Sequence, residues 1–215
     1  MATAQINPTR MELTRLKKKL STAIRGHKLL KDKRDELMRR FLDMARQNRE
    51  LREKVEKAVI EANSKFVLAS ASMTPQALSS AMLASKQEVY LDVSKRNVMS
   101  VDIPVFTVKT RTHDSNDIYC YGLAFTSADL DTAVTSLSDV LPDLLKLAEI
   151  EKSCQLLSAE IEKTRRRVNA LEHVMIPETR EKIRFITMKL DENERATQTR
   201  LMKVKDMVLS NAHGY

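Results

Sequence analysis

The chain is predicted to be mostly α: a long antiparallel two-helix coiled coil from the N- and C-terminal segments, with a small β-hairpin module inserted at one end. Three observations carry this. Apolar residues recur at alternating three- and four-residue steps through both terminal segments. The 215 residues include no tryptophan, four tyrosines and five phenylalanines, too few aromatics for a wide core, while 31% are charged. Three glycines and five prolines supply little turn chemistry for a many-stranded fold, whereas abundant Leu, Ala, Met, Lys, Arg and Glu favour long helices. The expected division is 1–71, an N-terminal coiled-coil helix; 72–126, a short helix plus the hairpin; and 127–215, a C-terminal coiled-coil helix.

Asn7-Pro8-Thr9 reads as a helix start, with a cap-forming side chain near a proline whose missing N–H has no partner in a first turn anyway. A heptad repeat then puts Leu13, Leu20, His27, Arg34, Phe41, Asn48, Val55 and Ala62 at one seam position. The other position reads Leu16, Ala23, Leu30, Leu37, Met44, Leu51 and Ala58, apolar throughout. About 60 helical residues at ~1.5 Å each make a rod of roughly 90 Å. Polar seam residues weaken pairing locally but specify register, because a buried polar group tolerates few alignments. That role suits His27 better than metal binding or proton transfer, since no second histidine or carboxylate stands beside it at ligand spacing.

Small residues and Pro75 in Ser70 to Gln76 break the pattern, and a weak helix from Gln76 to Ser85 follows. From Glu88 the period becomes two. Val89, Leu91 and Val93 alternate with polar neighbours, Lys95-Arg96-Asn97 intervenes, and Met99, Val101 and Ile103 alternate again, which predicts a hairpin. Pro104 limits further sheet, His113 to Asp117 is a polar loop, and Ile118 to Phe125 is a candidate returning strand. So small a module should lean on the helices. Its deletion is expected to cost the coil little, because the seam is complete without it.

Ser127 and Asp129 set up the second long helix, with Leu137, Leu141, Leu144, Leu145, Ala148, Cys154, Leu157 and Ile161 as its apolar stripe and Pro142 bending or restarting an early turn. The stripe continues through Ser158 to Glu178 at Thr164, Val168, Leu171 and Met175. Arg165, Arg166 and Arg167 fan out around these turns, so one or two must meet solvent or another chain. Pro177 inside the periodic run predicts a bend, not an end. Beyond it the stripe resumes one residue out of phase at Ile183, Ile186 and Leu190, then shifts again to Leu201, Val204 and Val208 before a frayed Ser210 to Tyr215. Helices of matched length around a compact insertion pair most economically with each other, in preference to a parallel homodimer.

With Gly26, Gly122 and Gly214 the only glycines, neither GxxxxGK[ST] nor GxGxxG occurs, and no nucleotide or other cofactor is expected. GxSxG and HExxH are also absent, and the acids sit in helical ion-pair patterns such as Glu50 to Lys54 and Glu178 to Lys182. No catalytic or metal-binding residue is assigned. Cys120 and Cys154 read as idle thiols. The N-terminus lacks a signal-peptide core and no window spans a membrane, so a soluble intracellular chain without direct membrane insertion is expected. The net charge of +8 and pI near 9.5 imply an acidic partner: nucleic acid, lipid surface or acidic protein cavity. A basic coiled-coil scaffold or nucleic-acid-binding protein is the alternative reading, disfavoured because Asp32, Asp35, Glu36, Glu160 and Glu162 interrupt any basic face. A membrane-surface helix would need large exposed apolar residues opposite lysines, and the stripe is narrow.

Three separated blocks, NPTRMELTRLKKKL from Asn7 to Leu20, RGHKLLKDKRDELMRR from Arg25 to Arg40 and EIEKTRRRVNALEHVMIP from Glu160 to Pro177, closely resemble the D subunit of bacterial V-type and A-type ATPases. The tail from Asn193 to Lys205 is similar as well, and only the middle from about Ser72 to Phe125 is too variable to compare. The resemblance implies a non-catalytic central rotor shaft, peripheral on the cytoplasmic face of the membrane. Its termini would enter the stator hexamer of catalytic and nucleotide-binding A and B subunits, and its other end would join the F subunit and the membrane-ring adaptor. Stator-facing positions would then be Arg10, Arg15, Lys18, Arg165, Arg166, Arg167, Leu201 and Lys203. Val89, Leu91, Met99, Val101 and Ile103 would form a coupling or activation module.

Overall fold

A turn at Thr9 opens the first helix: its hydroxyl accepts the Glu12 N–H at 3.2 Å and its carbonyl the Leu13 N–H at 3.0 Å. Helix α1 then runs over Arg10–Ser72 without a break, as expected of a segment whose one glycine is Gly26. The computed structural model describes residues 7–83, 86–112, 114–122 and 126–212. Helix α2 (Pro75–Met82), strands β1 (Val89–Val98) and β2 (Val101–Thr110), a 3-10 turn (Ser115–Ile118), helix α3 (Ala128–Ala170), a π-helical turn (Leu171–Met175) and helix α4 (Ile176–Ala212) follow. Every predicted seam residue of α1 from Leu13 to Ala62 is buried or half-buried, Leu16, Leu37, Val55 and Ala62 most deeply. The heptad reading holds because an antiparallel partner covers one stripe.

Two compact units divide the chain, one of residues 1–34 with 163–215 and one of residues 35–162. In the first, Arg10 pairs with Glu194 and His27 Nε2 lies 3.3 Å from Glu172 Oε2, so partner numbers fall as α1 numbers rise. Leu16, Thr164, Val168, Thr179 and Ile186 are its buried side chains. In the second, Lys54 meets Asp143 at 2.7 Å, Lys65 Nζ donates to Ser136 at 3.0 Å, and the Ser72 and Ser127 hydroxyls lie 3.1 Å apart. The order is again antiparallel. One core cluster joins Leu37, Val101, Leu157 and Ile161, and another joins Ala69, Ala81 and Leu130.

The sheet departs from expectation in several ways. It has two strands only, paired from Val89↔Thr110 to Val98↔Val101. Lys95, Arg96 and Asn97 continue β1, and the turn is Met99-Ser100, both at positive φ (52° and 71°). These are the conformations a two-residue hairpin demands. Asn97 replaces the missing glycine as the organising residue, its Oδ1 accepting the Ser100 N–H at 3.1 Å and its Nδ2 donating to Asp102 at 2.6 Å. Pro104 does not stop β2. Phe106 turns its N–H away from β1, to Glu149 Oε2 at 3.4 Å, and the nitrogen two residues earlier faces the same way, where no ladder bond is lost.

Ile118 to Phe125 is not a returning strand among its described residues: a 3-10 turn ends at Ile118 and residues 119–122 are irregular, residues 123–125 lying outside the described set. Tyr119 and Tyr121, ring centroids 6.2 Å apart edge to face, are tied to Thr135 and Asp131 of α3 instead of to a sheet. The short helix begins at a Thr74 cap and ends at Met82, before the predicted Ser85, which is outside the described residues.

Pro142 neither restarts nor interrupts α3. Its cost of about 3 kcal/mol is offset by packing on both sides, with Leu130, Ala133 and Val140 buried before it and Leu157 after. The stripe predicted at Leu137, Leu141 and Leu144 is rotated away from α1; these leucines are partly exposed, and Leu137, Leu141 and Leu145 floor a groove whose other wall is Val89 and Val108 of the hairpin. The second helix passes Pro177 without ending, as predicted, through a π turn.

Candidate interaction surfaces

Buried Thr164 and Val168 bracket Arg165, Arg166 and Arg167, and all three guanidinium groups are exposed. Helical steps of ~100° explain this, since three consecutive residues cannot share the covered stripe. Arg10 is engaged with Glu194 across to α4, and Arg15 with Glu12 on its own helix at 3.6 Å. Lys18 points to solvent from the outer face. Lys19, one residue on, lies close enough to Glu178 to help Lys182 hold that carboxyl below its usual range; the Lys182 hydrogen bond and charge are the larger causes.

Beyond Glu194, α4 continues with every described side chain exposed. Leu201 is 64% exposed and Lys203 stands beside it, while Val204 and Val208 extend an apolar stripe with no cover among the described residues. Such a stripe on a regular helix marks a contact surface. The predicted shaft residues are therefore not one site. Arg15 stands on α1 beside Lys182 with Lys18 one turn on, the three arginines stand on α3 beyond the His27–Glu172 contact, and Leu201 and Lys203 stand on the last turns of α4.

The five hairpin residues separate into two groups. Met99, Val101 and Ile103 pack against the Leu37 cluster, Val101 being 8% exposed, while Val89 and Leu91 are partly exposed and Leu91 is 41% exposed. The expectation that the hairpin hangs on a coil complete without it is thus corrected: its turn end is part of the core. Periodicity could not distinguish these groups, because both strands alternate equally well.

Sequence reasoning also missed Glu149, which binds the β2 edge, and Gln87, whose amide clasps Thr112 through three hydrogen bonds of 3.0 to 3.2 Å. Neither lies in a motif. Burial pushes the Cys154 thiol up, with the nearby Glu151 charge adding to it, so thiolate chemistry is disfavoured there. Tyr121 is raised further, by burial first and then by its bond to Asp131. Among the described residues no group of three or more His, Cys, Asp or Glu stands close enough to hold a metal ion, and no helix is long and apolar enough to cross a membrane.

Residues 12–206 match the family described as the ATP synthase D subunit. The chain belongs to that family. It is 59% identical over 215 residues to a V-type ATP synthase D subunit of Acetivibrio thermocellus, covering 100% of this chain and 97% of the relative. It is 62% identical over 212 residues to one of Clostridioides difficile (99% and 95%), and 57% identical over 204 residues to one of Clostridium botulinum (94% and 94%).

Proposed function

We propose that this chain is the non-catalytic central rotor shaft of a V-type ATP synthase. It carries torque between a hexamer of A and B subunits, where ATP is made or hydrolysed, and the ion-translocating membrane ring. The observation that carries this reading is the last part of α4, an unbroken helix with its apolar stripe bare, starting where α1 begins. A shaft end seated in a protein bore needs that form. In this reading, 1–71 and 127–215 supply the shaft, 72–126 the coupling module with Val89, Leu91, Met99, Val101 and Ile103, and the F subunit and a membrane-ring adaptor bind away from the termini. The complex holds the chain at the cytoplasmic face of the membrane with no insertion of its own and no cofactor.

A rotating shaft is poorly served by deep, shape-locked contacts, because each rotor angle would break them at several kcal/mol apiece. Exposed charges suit rotation better. Each pair contributes about 0 to 1 kcal/mol and acts over roughly 8 to 10 Å at physiological salt, so arginines exchange between neighbouring carboxylates as the angle changes. Arg165 and Arg167, exposed and without an ion pair among the described residues, support this role. A nucleic-acid-binding scaffold is less favoured, since Glu36, Glu53 and Glu56 each hold an arginine of α1 and break up its basic surface.

Replacing Arg165, Arg166 and Arg167 together by glutamine is expected to slow ATP-driven rotation of the reconstituted complex while the chain stays folded and the F subunit stays bound. Rotation unchanged at low and physiological salt would sink the arginine role. Cysteines at Arg10 and Lys203 are expected to cross-link to the A or B subunits; coupling only to the F subunit would reverse the polarity of the shaft.

A further inference from the structure

Between α3 and α4 the backbone leaves α geometry: in the turn Leu171–Met175 the Ile176 N–H donates to the Leu171 carbonyl, five residues back. Such a turn holds one residue more than the α turn it replaces, advancing the helix that follows by roughly 100° about its axis. The seam records this. Seven residues after Leu171 stands Glu178, exposed, whereas Thr179 is buried, and Ile183 and Ile186 continue inward one step late.

This turn also lacks a donor and exposes most of its side chains. Pro177 has no N–H to give the His173 carbonyl, which an α-helix here requires. Glu172, His173, Val174 and Met175 are all exposed, while Thr164 and Val168 before the turn and Thr179 and Ile186 after it are buried. Among the described residues the polar contact from the turn to α1 is His27 to Glu172 at 3.3 Å, and beside it a Cβ on Gly26 would meet nothing within 4 Å. Behind the turn, the Thr179 hydroxyl donates to the Met175 carbonyl at 2.6 Å. A weak turn between two buried stretches is where twist collects.

We propose that Leu171–Met175 is a torsional joint, at which α4 rotates about its own axis relative to the helix before it, with the His27–Glu172 and Thr179–Met175 contacts returning it to rest. Its use under load rests on the rotor-shaft reading; its existence does not.

Amide exchange on the full chain tests the joint. Amides of 172–178 are expected to exchange roughly tenfold or more faster than those of 164–168 and 183–187. Deleting Val174 together with Pro177→Ala removes the extra residue and restores the donor, yet leaves Leu171, Thr179 and Ile186 on one heptad stripe. That variant is expected to slow the segment to the rate of its flanks and to raise Tm. Exchange in the native segment no faster than in the flanks, or fast exchange persisting in the variant, would overturn the proposal. Should the deletion variant fail to fold, Pro177→Ala alone decides: partial slowing supports the joint and unchanged exchange overturns it. For the load-bearing role, the spread of rotor angles at a catalytic pause in the whole complex is expected to narrow in the deletion variant, and an unchanged spread refutes that role. If the native chain does not assemble with the hexamer, the rotor reading fails, while the exchange result still decides the joint.

Discussion

Leu157, fully buried, touches the cluster that holds Leu37, Val101 and Ile161, so the helix pair and the hairpin share its side chain. Leu157→Ala is expected to destabilise the chain by about 2 to 5 kcal/mol, read from denaturant unfolding. Ser100 sits at φ 71°, where a Cβ is strained and glycine is not. Ser100→Gly should therefore stabilise the hairpin by roughly 0.5 to 1 kcal/mol, and a drop in Tm would contradict the turn geometry. Asp143 responds to pH. The Lys54 hydrogen bond, then its charge, hold the carboxyl below its ordinary value of 3.8. A carboxyl depressed on folding contributes stability above its unfolded value and loses it as pH falls through the folded one. The acid-side loss of stability should thus be smaller in Lys54→Met than in the native chain, measured from about pH 5 to 2.

At the level of elements, α4 and the hairpin predict opposite outcomes of truncation. Removing residues 201–212 deletes side chains that are exposed wherever their surroundings are described, so thermal unfolding should stay nearly unchanged while, on the rotor reading, coupling to the hexamer is lost. Removing the hairpin uncovers Leu37, Leu157 and Ile161 and breaks the Glu149 contact, so Tm should fall although the helices persist. Retention of the native Tm after hairpin deletion would show that Val101 is dispensable to the core. Val89 and Val108 of the hairpin line one groove with Leu137, Leu141 and Leu145 of α3, apart from that core.

Over the whole molecule, exposed i to i+3 and i to i+4 pairs such as Arg46–Asp43 and Arg49–Glu53 are interleaved along α1. Each contributes little to stability. Raising salt from about 0.05 to 0.5 M shortens the Debye length from more than 10 Å to a few Å, and is expected to weaken assembly with the hexamer far more than it lowers the Tm of the isolated chain. Equal sensitivity of both would argue that these pairs hold the fold.

The sequence by itself determined the long helices, their antiparallel partnership and the seam of α1, because a heptad pattern is local and each position either meets the partner or does not. It also carried the one-residue phase slip, visible in Ile183, Ile186 and Leu190, although not the π turn that produces it. Family membership was legible in the blocks from Asn7, Arg25 and Glu160. Only the tertiary structure decided which apolar face of the hairpin is buried, since Leu91 and Val101 lie in strands with equal alternation and differ in what stands opposite. It moved the turn to Met99-Ser100, where Asn97 takes the part that sequence rules assign to glycine. It also let Pro142 and Pro104 pass, one because packing outweighs a lost bond and the other because its nitrogen faces an edge where none was due.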